Sequence, residues 1–249
     1  MSPGRTANQH LPRPESWIEA ERPPWLHLPA ESRRISLDEV VHSIPPVPGS
    51  AVLDRWVSAS SANPAAVLCL LYDHDGQPHV LITRRPWTMR SHSGELSFPG
   101  GGREHGESLV ETALRETEEE VGIAKSGISI VGALRPLRTF SSQRLVVPVV
   151  GLWDGSGRIA PNPDEVAEVL HVPLAHLVDD NTAWREHWAF PSIAVDVNFF
   201  DLGDDVIWGA TGLMLADLFT RLLFDRIVAQ GVSVSGLGDP RYLDAPQVG

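Results

Sequence analysis

The sequence predicts an α/β fold in which one mixed β-sheet lies between layers of α-helix. Three observations carry this expectation. Apolar runs of strand length, at residues 65–72 and 145–153, flank one amphipathic helical segment at about 108–121. A second long amphipathic stretch, from Trp208 to about Ala229, closes the chain. Shorter strand-like runs fill the spaces between.

The elements follow in order. The first 30 residues hold six prolines (Pro3, Pro12, Pro14, Pro23, Pro24, Pro29) and read as an extended, partly disordered arm. Residues 36–43 (SLDEVVHS) predict a short helix that ends before Pro45-Pro46. A Ser/Ala/Asn/Pro linker at 58–64 leads into the first strand. Asp73-His74-Asp75-Gly76 reads as a hairpin turn, with the returning strand at 79–84. Ser108 followed by Glu111 fits a capping box, and Gly122 fits a C-terminal stop. Further strands are expected at 128–134 and 166–172, and Pro173 opens a short helix in PLAHLV. Residues 1–60 thus form an extension, 61–231 one domain, and 232–249, rich in Gly, Pro and Asp, a loose tail.

The helix at 108–121 carries the chemistry. Val110, Ala113, Leu114, Thr117 and Val121 form its apolar stripe. Glu116, Glu119 and Glu120 share another face, within an arc of roughly 100°. Carboxylates that close repel one another, and a hard divalent cation with oxygen ligands is the natural partner. Residues 81–103 add Arg84, Arg85, Arg90 and Arg103 against only Glu95, a local positive region suited to phosphate.

Residues 101–123, GGREHGESLVETALRETEEEVGI, resemble the signature of the Nudix hydrolases. Gly101, Glu107, Arg115-Glu116, Glu119-Glu120 and Gly122 stand at the family's spacing. Thr117 replaces the usual aliphatic residue, and its hydroxyl can bond the carbonyl one turn back. The resemblance implies a Nudix-type mixed β-sheet sandwiched between α-helices. It also implies Mg²⁺ or Mn²⁺ held by Glu116, Glu119, Glu120 and the Gly101 carbonyl. Arg115 would orient Glu119 or Glu120, and Glu107 would act as a secondary ligand or a brace. The general base stays open between Glu116 and a later carboxylate such as Glu165. Upstream, LITRRPWTMRSHSGELSFPGG is similar to the motif of the coenzyme A pyrophosphatase subgroup, with Pro86 departing from its usual Ser or Ala. This implies hydrolysis of coenzyme A and derivatives to 3′,5′-ADP and 4′-phosphopantetheine, with Arg85, Arg90 and Arg84 as substrate-binding candidates. Another Nudix pyrophosphohydrolase, acting on ADP-ribose, NADH or nucleoside triphosphates, would share the signature. So would a non-catalytic nucleotide-binding module.

Composition narrows the rest. The net charge of −12 argues against non-specific nucleic-acid binding. No apolar run of spanning length exists, so no membrane partner is expected. The first residues lack the apolar centre of a signal peptide. Cys69 is the single cysteine, which excludes an internal disulfide and a zinc site built on cysteines. A cytoplasmic protein with a small-molecule substrate is expected, and a homodimer is compatible with these features.

Overall fold

The structure, a computed structural model, describes residues 11–49, 52, 63–87, 94–139, 144–191, 193–234 and 247–248. The proline-rich segment does not hang free over its described part. Ile18–Glu19 (β1) joins a sheet, and two 3₁₀ turns, Pro24–His27 and Ala30–Arg33, drive Trp25, Leu26 and Leu28 into the core. Trp25 stacks on Phe200 at 6.2 Å and packs against Phe219 at 5.6 Å. Large aromatic anchors of this kind outweigh a composition that otherwise favours disorder. Buried Arg33 donates to the carbonyls of Leu26, Leu28 and Val178 and to Asp180. Leu37–Ser43 (α1) follows as the expected short helix, opened by a capping box between Ser36 and Glu39.

Among the described residues, nine strands form the main sheet. Its centre is Ala65–His74 (β2), joined by a two-residue turn to Gln77–Arg84 (β3). Asp75 and Gly76 both take positive φ there, which suits a tight hairpin, and the Asp73 carboxylate accepts from the Gly76 amide. Leu96–Ser97 (β4) pairs with β3, and Gly100–Gly102 (β5) pairs with the start of β2. The signature helix, Leu109–Val121 (α2), comes next, then Ile128–Ala133 (β6), Leu137–Arg138 (β7) and Leu145–Trp153 (β8). β8 lies parallel to β2, while β6 and β7 run antiparallel to β8. Glu168–Pro173 (β9) closes onto β3. Val166 is not part of that strand: its amide bonds the Asn162 carbonyl in a turn. The short helix Leu174–Leu177 (α3) begins after Pro173.

Strand alternation explains the layers. Cys69, Leu71, Val80 and Ile82 point to one side of the sheet, while Leu68, Leu70, Tyr72 and Leu81 point to the other. α2 covers the second side through Leu109, Ala113 and Val121. The first side is covered by Gly209–Leu222 (α4), Phe224–Ala229 (α5) and the N-terminal Trp25, Leu26 and Leu28. The expected closing helix is thus two helices, broken at Leu223, whose φ and ψ of −109° and 9° leave the helical range.

A second sheet escapes the sequence reading. Ala183–Ala189 (β10), Ala194–Asp201 (β11) and Val206–Ile207 (β12) form an antiparallel meander, with β1 on its outer edge. The tail is not loose at Gln247–Val248 (β13), which pairs in parallel with β7. The rest of the tail, residues 235–246 and 249, and most of the linker lie outside the described residues.

Candidate active site

The capping box that starts α2 is complete. Ser108 accepts from the Glu111 amide, and the Glu111 carboxylate accepts from the Ser108 amide. At the other end Gly122 adopts φ 73°, and its amide bonds the Glu118 carbonyl. Thr117 donates to the Ala113 carbonyl at 2.7 Å, so the residue that departs from the aliphatic pattern fits the buried face. These features fix the helix in length and rotation against β2 and β5.

Arg115 is the hub of the acidic face. Its Nε donates to Glu107 Oε1 at 2.7 Å and its Nη1 to Glu119 Oε2 at 2.8 Å. Its Nη2 reaches Glu116 Oε1 at 3.0 Å and the Gly102 carbonyl at 3.1 Å. Glu107 also accepts from the Glu104 amide and the Thr112 hydroxyl. The hydrogen bond from Arg115 dominates, and the Glu107 carboxyl is held down to about 2. Glu107 therefore acts as a brace for Arg115, one of the two roles expected of it. Arg115 pairs with Glu116 and Glu119, not with Glu120.

Glu120 is buried, at 7% exposure. Among the described residues its carboxylate accepts only a long bond, 3.4 Å, from the Gly100 amide. Burial pushes its carboxyl up to about 8, and the charges of Glu116 and Glu165 push the same way against the Gly100 amide and Arg85. Glu116 is also raised, first by burial and then by Glu119 and Glu165, with Arg115 opposing. Glu165 comes from a loop docked on the end of α2: the amides of Ala160 and Asn162 donate to the carbonyls of Val121 and Glu120. The fold thus brings Glu116, Glu120 and Glu165 into one mutually repelling group.

That group suits a hard divalent cation in its donor chemistry, because only positive charge relieves it. A finished cage is absent: among the described residues no three His, Cys, Asp or Glu groups converge closely enough to hold a metal ion. Glu119 is half exposed and turned onto Arg115. Gly101 faces Ala66 in the β2–β5 ladder and lies directly beneath the Glu116 carboxylate.

The arginines separate. Arg84 is a correction to the substrate-binding set. Its guanidinium is buried and spent on Asp205, at 2.7 and 2.6 Å, and on Glu168 at 2.9 Å. The hydrogen bonds it donates to Asp205 and then to Glu168 raise its pKa further. It ties β3 to β9 and to the second sheet. Arg85, the first residue beyond β3, has a buried Nε without a hydrogen-bond partner among the described residues. Its charge reaches Glu120. Arg90 lies outside the described residues.

Arg85 also lines a cavity of about 550 Å³ between the two sheets. Val67, Phe98 and Val146 form one wall; Trp188, Phe190, Val195 and Val197 form the other; Trp208, Ala210 and Met214 close it. Sequence reasoning misses this pocket because it misses the second sheet. The signal was the alternation of Trp184, Glu186 and Trp188, where the buried glutamate hides a period-two pattern.

The NUDIX domain model matches residues 62–191 of this chain. Nudix hydrolase 22, chloroplastic, of Arabidopsis thaliana is 40% identical over 160 residues, which cover 61% of this chain and 52% of that protein. The chain thus spans about half the length of that relative. Nudix hydrolase 3 of Caenorhabditis elegans is 33% identical over 191 residues, covering 68% of this chain and 77% of that protein. A solved MutT/nudix family protein from Enterococcus faecalis is 20% identical with a TM-score of 0.43, over 73% of this chain and 70% of that one. The matched domain contains the whole braced acidic helix and the loop that carries Glu165, and on that match the chain belongs to the Nudix hydrolase family.

Proposed function

We propose that this protein hydrolyses the pyrophosphate bond of coenzyme A and its derivatives, releasing 3′,5′-ADP and 4′-phosphopantetheine. The observation that carries the reading is Arg85. A half-buried guanidinium with an unpaired Nε stands between a group of repelling carboxylates and an apolar pocket. Such a donor is costly to leave unmade, and a phosphate oxygen satisfies it with a charge-assisted bond. The upstream motif that contains Arg85 supports coenzyme A as the substrate.

Glu116, Glu120, Glu119 and the Gly101 carbonyl would hold Mg²⁺ or Mn²⁺, which when bound supplies charge neutralisation of the pyrophosphate and acidifies water. The chain's own groups do the remaining work. Arg115, held by Glu107, fixes the orientation of Glu116 and Glu119. Arg85 binds a phosphate of the substrate. Glu165, exposed and, among the described residues, bonded through its side chain only by a long contact from Asn162, is placed to accept the proton of the attacking water; Glu116 is the other carboxylate suited to that role. Among the described residues no helix is long and apolar enough to cross a membrane, and a cytoplasmic setting belongs to this proposal.

Product analysis tests it. Coenzyme A, 3′-dephospho-coenzyme A, ADP-ribose and dGTP are each incubated with Mg²⁺ and with Mn²⁺. A charge-assisted contact to the 3′-phosphate is worth about 1.5–3 kcal/mol. Coenzyme A is therefore expected to be cleaved at least about ten times more efficiently than its dephospho form. Equal rates would mean that the 3′-phosphate is not read. Faster cleavage of ADP-ribose or dGTP would overturn the coenzyme A assignment.

A further inference from the structure

Arg85 accounts for one phosphate beside the carboxylates. A second guanidinium near β5 has no role so far. Arg144 is the residue before β8, at the neck of the β7–β8 hairpin. Its amide donates to the Thr139 hydroxyl at 3.2 Å, and its carbonyl accepts from the Thr139 amide at 3.0 Å. Arg144 is half-buried, and among the described residues its guanidinium makes no hydrogen bond or ion pair. That is out of character for a chain in which 32 acidic residues face 20 basic ones. Arg13, Arg33, Arg84, Arg115 and Arg221 each hold a carboxylate. A guanidinium drawn partly out of water without a counter-charge carries a desolvation cost, and an anion offsets it.

The strand pairing fixes where that guanidinium lies. Gly102 pairs with Ala65, and Ala65 pairs on its other side with Val146. Arg144, two residues ahead of Val146, reaches back across this row to β5. A Cβ built on Gly102 would stand 3.8 Å from Arg144 Nη1 and 3.9 Å from Asn63 Nδ2. Gly101 turns its open side to Glu116, and Gly102, next in the strand, turns the opposite way. β5 therefore separates Arg144 from the Glu116 carboxylate, and the arginine is not placed to neutralise the acidic group. Asn63 donates one amide hydrogen to the Arg103 carbonyl at 2.7 Å; its second hydrogen remains for a ligand. One charged donor and one neutral donor thus flank the same glycine. A phosphate monoester, with a charge of about −1.5 to −2 and three acceptor oxygens, can take both. A phosphate inside a pyrophosphate bridge offers less charge and fewer free oxygens, and it must lie with the carboxylates to be hydrolysed.

We propose that Arg144, with Asn63, holds the 3′-phosphate of coenzyme A on the face of β5 turned away from the hydrolytic carboxylates. The assignment rests on the coenzyme A reading and deepens it. Arg85 takes a phosphate of the scissile bridge, and Arg144 takes the phosphate that the reaction leaves untouched. Arg144 meets the substrate away from the reacting atoms, so it strengthens ground state and transition state alike and acts on KM rather than on kcat.

The test sets Arg144→Gln and Arg144→Lys against the wild type on coenzyme A and 3′-dephospho-coenzyme A. Arg144→Gln is expected to raise KM for coenzyme A by about tenfold, with kcat near wild type, and to leave KM for the dephospho form within about twofold. Arg144→Lys keeps the charge and loses the fork, and should recover part of the loss. Equal losses on the two substrates would overturn the assignment, because the side chain would then serve the fold or the shared bridge. Unchanged kinetics on both would overturn it as well. Calorimetric binding of 3′,5′-ADP and of AMP, with Mg²⁺ present, keeps the subsite apart from the fate of the coenzyme A reading. The two nucleotides differ by one phosphate. The wild type is expected to bind 3′,5′-ADP about tenfold more tightly, and Arg144→Gln to bind the two alike. If coenzyme A is not cleaved but this binding pattern holds, the coenzyme A reading fails and the subsite stands. If the wild type binds the two nucleotides equally, the subsite fails, whatever is cleaved.

Discussion

Gly101 lies so close under Glu116 that a Cβ built on it would stand 2.4 Å from the Glu116 Cδ and 2.5 Å from both carboxylate oxygens. The glycine is required by this approach and not by its own backbone angles, since its φ is not positive. Gly101→Ala must push the carboxylate away from β5. A misplacement of about 1 Å at a reacting centre costs on the order of a hundredfold. Turnover of the preferred substrate should fall by about that factor, and wild-type activity in a folded variant would refute the placement of Glu116 in the site.

Glu120→Gln should abolish turnover while the fold survives. Glu120 is buried, not a surface charge, so the case rests on shape: glutamine keeps the volume and an oxygen for the Gly100 amide. It also removes a charge that burial and two neighbouring carboxylates oppose. Thermal unfolding should show no loss of stability, and kcat should be near background. A variant with normal turnover and normal metal dependence would exclude Glu120 as a ligand.

Arg115→Lys should lose about 10- to 100-fold in activity, the usual effect of changing a group that orients metal ligands. One ammonium cannot serve Glu107, Glu116, Glu119 and the Gly102 carbonyl together, as the guanidinium does. Steady-state kinetics across a metal titration should show the loss in apparent metal affinity as well as in kcat.

Arg84 and Arg85 are adjacent in sequence, and their variants should fail in different ways. Arg84→Ala leaves Asp205 without its bidentate partner and should cost about 3 kcal/mol of stability, read by denaturant unfolding. Arg85→Ala should leave stability near wild type and raise KM by about tenfold or more. A stability loss in Arg85→Ala as large as that in Arg84→Ala would deny the phosphate role.

Glu186 should report on the acid side of stability. Burial pushes its carboxyl up, but bonds from Arg13, Trp188 and Trp184 win and hold it below its ordinary value of 4.5. A carboxyl depressed in the folded state contributes stability that is present above pH 4.5 and lost as pH falls through its folded value. Arg13→Met removes the main opposing charge, and the Glu186 resonance should then titrate at higher pH than in the wild type. An unchanged titration midpoint by NMR would show that Arg13 does not hold this carboxylate.

The legible parts of this chain are those where local and global signals agree. Ser108, Glu111 and Gly122 mark the ends of α2 by their own chemistry, and the alternation in 65–72 names both faces of β2. The acidic group was readable because helical spacing alone puts Glu116 and Glu120 together. Glu165 needed the resemblance, since nothing local says that its loop returns to α2. Three features were not legible for physical reasons. The N-terminal segment looks disordered by composition, yet Trp25 finds Phe200 and Phe219 across the fold. The β10 pattern is broken by a buried glutamate whose partner, Arg13, is remote in sequence. Arg84 and Arg85 look alike as letters, and only the fold gives Arg84 its carboxylate partners and leaves the Arg85 Nε without one among the described residues.

The loop amides of Ala160 and Asn162 complete the last turn of α2 by taking the carbonyls of Val121 and Glu120. That turn is therefore local in sequence but distant in its completion. Its carbonyls wait for chain that arrives only after β6, β7 and β8 have been laid down. Chain arriving that late makes contacts of high sequence separation, which form slowly. Glu116 and Glu120 are brought together by the helix itself, whereas Glu165 joins them only through this contact of high sequence separation. A truncated or half-folded chain would hold the acidic helix without its counterpart loop, and so would carry the charges of the site without its reactivity.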